Sequence, residues 1–290
     1  MGKEGKIRVW LVCMMLFLVI AAVATGVVFY EKQTKKEAEE AFALMQENVS
    51  KETKEPETEE SEKKKEKPVQ SRQQEEMPEE KDVLKERGIT IPDKEIDWSA
   101  LSEQNPHIYA WIVVDDTTVD YPVLQHPTDD TFYLNGNLDG SVGYPGCLYT
   151  EAGYNKKDFS DPHTVIYGHN LKDHTMFSTL HNFDDEKTFF AKDHFIYIYT
   201  KDYTYVYEIF GAYEYSSAHL LDNYDFSNDY VFDDFINRLY HNETGRIVHM
   251  KEGVDVKAGD RILTLSTCTK DSNENLRFLV TGVLLNPKED

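Results

Sequence analysis

Cysteine is scarce in this chain: three residues in 290, at Cys13, Cys147 and Cys268. A secreted fold stapled by disulfides carries cysteines in larger and even numbers, so that class is excluded. Basic charge is also short, with 31 Lys and Arg against 53 Asp and Glu and a net charge of -22. Without a basic footprint no nucleic-acid partner is expected. Metal-ligand spacing is missing too. Asp161, His163, His169, Asp173 and His174 lie close together in sequence, but neither CxxC nor a helical HxxxH occurs among them, so neither metal nor cofactor is expected. No internal repeat is present. Residues 51–81 contain no aromatic side chain and almost no aliphatic one. Such a stretch cannot bury enough apolar surface to offset its chain entropy.

What the sequence does contain begins at its amino end. Residues 9–30, VWLVCMMLFLVIAAVATGVVFY, hold no charged side chain, long enough for a helix to cross a hydrocarbon core of roughly 30 Å. Lys3, Lys6 and Arg8 precede the run, which places the amino terminus in the cytoplasm. Ala22-Val23-Ala24 resembles a signal-peptide cleavage site, but the uninterrupted apolar length favours an uncleaved, single-pass membrane anchor. Four segments follow: a cytoplasmic tip (1–8), an anchor (9–30), a charged extracellular spacer (31–90) and a globular domain (91–290).

The globular part reads as mostly β. Strand-like runs rich in Val, Ile, Tyr, Phe and Thr occur at 109–114, 119–124, 147–150, 164–169, 195–200, 203–215, 261–267 and 277–285. Gly, Asp, Asn or Pro separate them. Short helices are expected in DWSALSEQNP (97–106), with Asp97 as cap and Pro106 after its end, and at 175–183. Residues 229–242 place Val231, Phe232, Phe235, Ile236 and Leu239 at helical spacing, an amphipathic helix between the late strands. Many strands with few helices between them predict a mostly antiparallel barrel or sandwich. Cys147, in GCLYT, reads as a small buried hydrophobe. A pairing of Cys147 with Cys268 stays open at this point.

The chemistry concentrates near the carboxyl end, in TLSTCTKDSNENLRFLV at 264–280. Two apolar runs flank a polar loop, so they pair as neighbouring antiparallel strands, with Cys268 beside Arg277. A guanidinium there favours the thiolate and offers hydrogen bonds to a developing oxyanion. A thiol nucleophile also needs a proton carrier, for which histidine suits best. His169, which ends the strand-like TVIYGH, is the candidate, while His163, His174 and His181 read as loop or helix-surface residues. A buried packing cysteine and a solvated edge arginine are the plainer readings of the same residues.

TLSTC with an arginine after a short loop, and an upstream strand ending in YGH, together resemble the sortases, membrane-anchored cysteine transpeptidases of Gram-positive bacteria. VIYGHNLKDHTMFSTL, DYPVLQHPTDDTFYLNG and the helix at 229–242 are similar to the class B branch, and the resemblance covers about residues 95–285. It implies an eight-stranded β-barrel with Cys268 as nucleophile, His169 as general acid and Arg277 as oxyanion or substrate-orienting group. It implies that Asp130, Leu134, Ser266 and Thr267 contact substrate, although Asp130 stands where asparagine is expected. The implied reaction cleaves a carboxyl-terminal sorting motif (NPQTN-like or PxTG-like) after Thr and transfers the surface protein to a peptidoglycan amine, outside the cell membrane. A pilin polymerase, a thiol peptidase that only hydrolyses and a catalytically silent scaffold barrel are the alternatives.

Overall fold

A computed structural model describes residues 83–241 and 248–288, with scattered helical positions between Met14 and Glu40. Among the described residues no helix is long and apolar enough to cross a membrane. The expected anchor at 9–30 falls partly outside them, and nearly all of the spacer does.

Nine strands are seen among the described residues: β1 Ile108–Val114, β2 Asp120–Leu124, β3 Leu148–Tyr149, β4 His163–Tyr167, β5 Phe195–Tyr199, β6 Thr204–Ser216, β7 Val248–Met250, β8 Ile262–Cys268 and β9 Leu276–Leu284. Their order is β5-β1-β2-β3-β4-β8-β9-β6-β7, and an additional β5–β6 pairing closes eight of them into a barrel, with β7 appended to β6. Closure removes the free edges that an open sheet would leave, and it settles barrel over sandwich. β2 with β3 and β4 with β8 run parallel, and the remaining pairings are antiparallel.

Seven helices accompany the strands from Val83 onward among the described residues: α1 Val83–Glu86, α2 Trp98–Gln104, α3 Phe132–Asn135, a 3₁₀ helix at Ser178–Asp184, α4 Glu186–Phe189, α5 Leu220–Asn223 and α6 Asp229–Tyr240. Asp97 caps α2 as expected, accepting hydrogen bonds from the backbone N–H groups of Ser99 and Ala100, each at 2.9 Å. The Asn228 side chain caps α6 in the same way. That helix buries Phe232, Phe235, Ile236 and Leu239 against Phe210 and Leu279 of the sheet, each worth roughly 1.5–3 kcal/mol of transfer free energy. A larger core, including Trp111 and Phe177, fills the barrel itself. Leu84 and Ile89 pack on that core ahead of the domain start expected from composition. Arg87 fixes this arm to β6 through two hydrogen bonds to the Glu208 carboxylate, at 2.6 and 2.7 Å. Glu208 is buried, and a buried carboxylate requires such a partner.

Candidate active site

Strand register gathers the singled-out residues into one row. In the β8–β9 ladder Cys268 stands opposite Arg277, as the loop length implied. β4 runs parallel to β8 with Tyr167 opposite Ser266. The ladder continues past the end of β4, because the Gly168 N–H donates to the Ser266 carbonyl at 3.1 Å. One residue further, the register brings His169 beside Cys268. β3 faces β4 antiparallel with Tyr149 opposite Tyr167, so the same extension sets Cys147 beside His169. Adjacent strands lie about 4.8 Å apart. Cys268 is therefore one strand spacing from His169 on one side and from Arg277 on the other. Cys147 is two spacings from Cys268, beyond the ~7 Å Cα separation that a disulfide tolerates. Both cysteines are free, and Cys147 is buried. Burial pushes its thiol far up from the ordinary value, so it is an inert packing residue as expected.

Cys268, His169 and Arg277 line one cavity of about 240 Å³, together with Leu134, Ser266 and Thr267. Every residue of β8 is buried except Cys268, the last, which is partly exposed. Arg277 Nη1 donates to the Leu276 carbonyl at 2.7 Å. Its Nε and Nη2 have no acceptor among the described residues, leaving donors for an oxyanion in the cavity. His169 lies two residues beyond the end of β4 rather than on it. Its Nε2 is 2.7 Å from the Leu134 carbonyl. A carbonyl only accepts, so the ring donates from Nε2, and α3 thereby fixes its orientation. Gly168 holds the approach: a Cβ there would lie 2.3 Å from Leu148 Cδ2 and 2.6 Å from Phe177 Cδ2.

Asp130 is not brought to this cavity with the other three substrate candidates. Its carboxylate instead accepts the Gly153 N–H at 3.0 Å, tying two loops together.

Two histidines depart from their expected surface positions. His163 is buried in β4, with Nε2 2.8 Å from Thr264 Oγ1, and burial pushes its pKa down to about 3. His181 is buried in the 3₁₀ helix, directly behind Cys268, with Nε2 2.9 Å from the Cys268 carbonyl. Polarity suggested a surface for both, and only the packing of β4 and of the 3₁₀ helix covers them.

Sequence reading also passed over His219, which lines the cavity from the loop between β6 and α5. Its Nδ1 accepts the Asp222 N–H at 3.0 Å, so Nε2 carries the hydrogen donated to the buried Glu151 carboxylate at 2.6 Å. Burial raises the Glu151 pKa despite that bond. A histidine in an unpatterned SSAHL turn gives no sequence signal of this pairing. Among the described residues no group of three or more His, Cys, Asp or Glu side chains could hold a metal ion.

Residues 112–285 match the sortase domain family. The chain is 31% identical to sortase B of Listeria monocytogenes over 187 residues, 64% of this chain and 72% of the relative. It is 31% identical to sortase B of Staphylococcus aureus over 186 residues, 63% of this chain and 72% of the relative. The crystal structure of Clostridium perfringens sortase B superposes with a TM-score of 0.56 at 29% identity, covering 65% of this chain and 99% of the other. A closed eight-stranded barrel, a thiol flanked by histidine and arginine at its rim and these three likenesses agree: the chain belongs to the sortase family, and its relatives are class B sortases.

Proposed function

We propose that this protein is a membrane-anchored cysteine transpeptidase, acting outside the cell on the sorting motif of surface proteins. The observation that carries the reading is the row itself. Cys268 stands between His169 and Arg277, and all three open on one cavity. Cys268 attacks as thiolate on the carbonyl carbon of the motif's Thr, and the oxygen takes up negative charge beside the Arg277 guanidinium. The C–N bond breaks, and protonated His169 supplies the proton that the departing amine requires. A thioester to Cys268 remains. An acceptor amine of the peptidoglycan then attacks this thioester and gives up a proton to His169. The new amide forms and the Cys268 thiolate leaves. The apolar run at 9–30 supports the anchoring, and it sets the charged spacer and the barrel on the outer side.

The test uses the full chain in detergent micelles with NPQTN-like and PxTG-like peptides, with and without an amine acceptor, products being read by mass spectrometry. Expected is a ligated product that Cys268→Ala abolishes. Cleavage without ligation at any acceptor concentration would make the protein a hydrolase. Ligation only to a pilin lysine would make it a pilin polymerase, and the absence of any thioester would leave a silent barrel. Full activity in Cys268→Ala would remove the nucleophile assignment itself.

A further inference from the structure

The parallel ladder between β4 and β8 should supply one more hydrogen bond than it does. Gly168 N–H donates to Ser266 O, and in a parallel pair the next bond of that series joins residues two further along each strand. The backbone N–H of residue 170 would then serve the Cys268 carbonyl. The chain turns away instead, and Asn170 bridges to Met176. The nucleophile's own carbonyl, at the last rung of β8, has lost its ladder partner on that side.

Two side chains replace it. His181 Nε2 lies 2.9 Å from Cys268 O, and Asn170 Nδ2 lies 3.3 Å from it. His181 is built to hold that position. Its Nδ1 lies 3.2 Å from Asp184 Oδ2, and its ring stacks on Phe278 with centroids 4.5 Å apart. Asp184 is itself fixed by Lys270 at 2.5 Å, on the loop that follows the nucleophile. Although burial opposes the charge on Asp184, the hydrogen bonds from His181 and Lys270 outweigh it and lower its pKa. The 3₁₀ helix, the end of β8 and the following loop are thus tied together at one imidazole.

We propose that His181 is a positioning residue of the transfer reaction: its two acceptor-only partners, the Asp184 carboxylate and the Cys268 carbonyl, take one N–H each from the doubly protonated ring, which holds the Cys268 backbone at the rung where β4 stops supporting it, and so sets the thiol between His169 and Arg277. The inference rests on Cys268 being the nucleophile. His181 does not line the cavity, so its loss acts on the geometry of attack and not on the binding of peptide. A misplacement of about 1 Å in such a group costs on the order of 10²-fold in rate.

Two substitutions separate the two ring nitrogens. The terminal amide of His181→Gln reaches the place of Nε2 and keeps a donor for Cys268 O. That of His181→Asn reaches the place of Nδ1 and keeps only the contact to Asp184. Both lose the aromatic ring and its stacking, so a purely structural role affects them alike. In full-length protein, with steady-state transfer and a thermal melt measured for each, His181→Gln is expected within threefold of wild-type kcat. His181→Asn is expected to fall at least tenfold in kcat with KM within twofold. Equal losses in the two variants, or no loss in either, overturn the proposal. So does a melt showing that either variant has lost the fold, which would make His181 a core residue only. Absence of transfer in the wild-type protein would instead overturn the transpeptidase reading on which the proposal stands.

Discussion

Gly168→Ala is the sharpest perturbation of the site that leaves every chemical group in place. The added Cβ would sit 2.3 Å from Leu148 Cδ2 and 2.6 Å from Phe177 Cδ2, where carbon atoms prefer about 3.5–4.0 Å. Leu148 and Phe177 are both fully buried, so neither can swing clear into solvent. Relief must come from the backbone at 168, moving by on the order of 1 Å, and His169 moves with it. Overpacking of this kind costs typically 1–3 kcal/mol, roughly 3–10 °C in Tm for a domain of this size. The fold survives such a cost, since native stabilities run to about 5–15 kcal/mol. The role proposed for His169 does not survive it so well, because a misplacement of that size costs about 10²-fold in rate. Expected, then, is a protein that melts cooperatively a few degrees lower and transfers peptide 30- to 100-fold more slowly, as orders of magnitude. Ile166→Val, a buried change on β4 two residues earlier, lowers stability by about 0.5–1.5 kcal/mol without touching the histidine and serves as the control. A Gly168→Ala rate within threefold of wild type would refute the claim that this glycine positions His169.

Two further predictions concern charge. Arg277→Lys keeps the cation but loses the planar fork, so the transfer rate should drop by on the order of 10²-fold. A rate within threefold of wild type would mean that the fork is not used. His163 concerns stability: its pKa falls from the ordinary 6.5 to about 3 in the folded protein, so between those values the unfolded chain binds more protons and acid favours unfolding. The loss is about 1.4 kcal/mol per pH unit, or roughly 2 kcal/mol at pH 5 relative to neutral. His163→Gln should therefore flatten the fall of Tm between pH 7 and pH 5, and identical slopes in the two proteins would show that His163 is not held neutral.

The parts of this protein that were legible in its sequence are those governed by local pattern. Alternating aromatic and β-branched runs marked the eight barrel strands to within a residue or two, and the Asp97 cap and the apolar stripe of α6 marked their helices. The Cys268–Arg277 pairing was also local, because a short hairpin admits few registers. Barrel closure was not, since it depends on β5 pairing both β1 and β6. Nor was the parallel match of β4 with β8, which joins segments about a hundred residues apart and is what brings His169 to Cys268. β7 is three half-buried residues, too short to show a period. His163 and His181 were misplaced for a common reason: a polar side chain is read as exposed unless its partners are known, and those partners, Thr264 and the Cys268 carbonyl, lie far along the chain.

The position of Cys268, the proposed nucleophile, follows from conflicting demands on a thiol. It has to reach a peptide, which requires exposure, and it has to meet a histidine and an arginine at fixed separations, which requires a rigid backbone. Residues 262–267 satisfy only the second demand, because all are buried in the ladder. Thr269 is also fully buried, its hydroxyl occupied with Asp271 in the following turn. Of the β8 residues, only Cys268 is both in register with β9 and partly exposed. Its rung is also where β4 has ended, so rigidity there has to come from side chains, and His181 and Asn170 converge on its carbonyl. Cys268 thus stands where the sheet stops holding its own backbone, and the buried histidine behind it belongs to the same structural requirement as the histidine and arginine beside it.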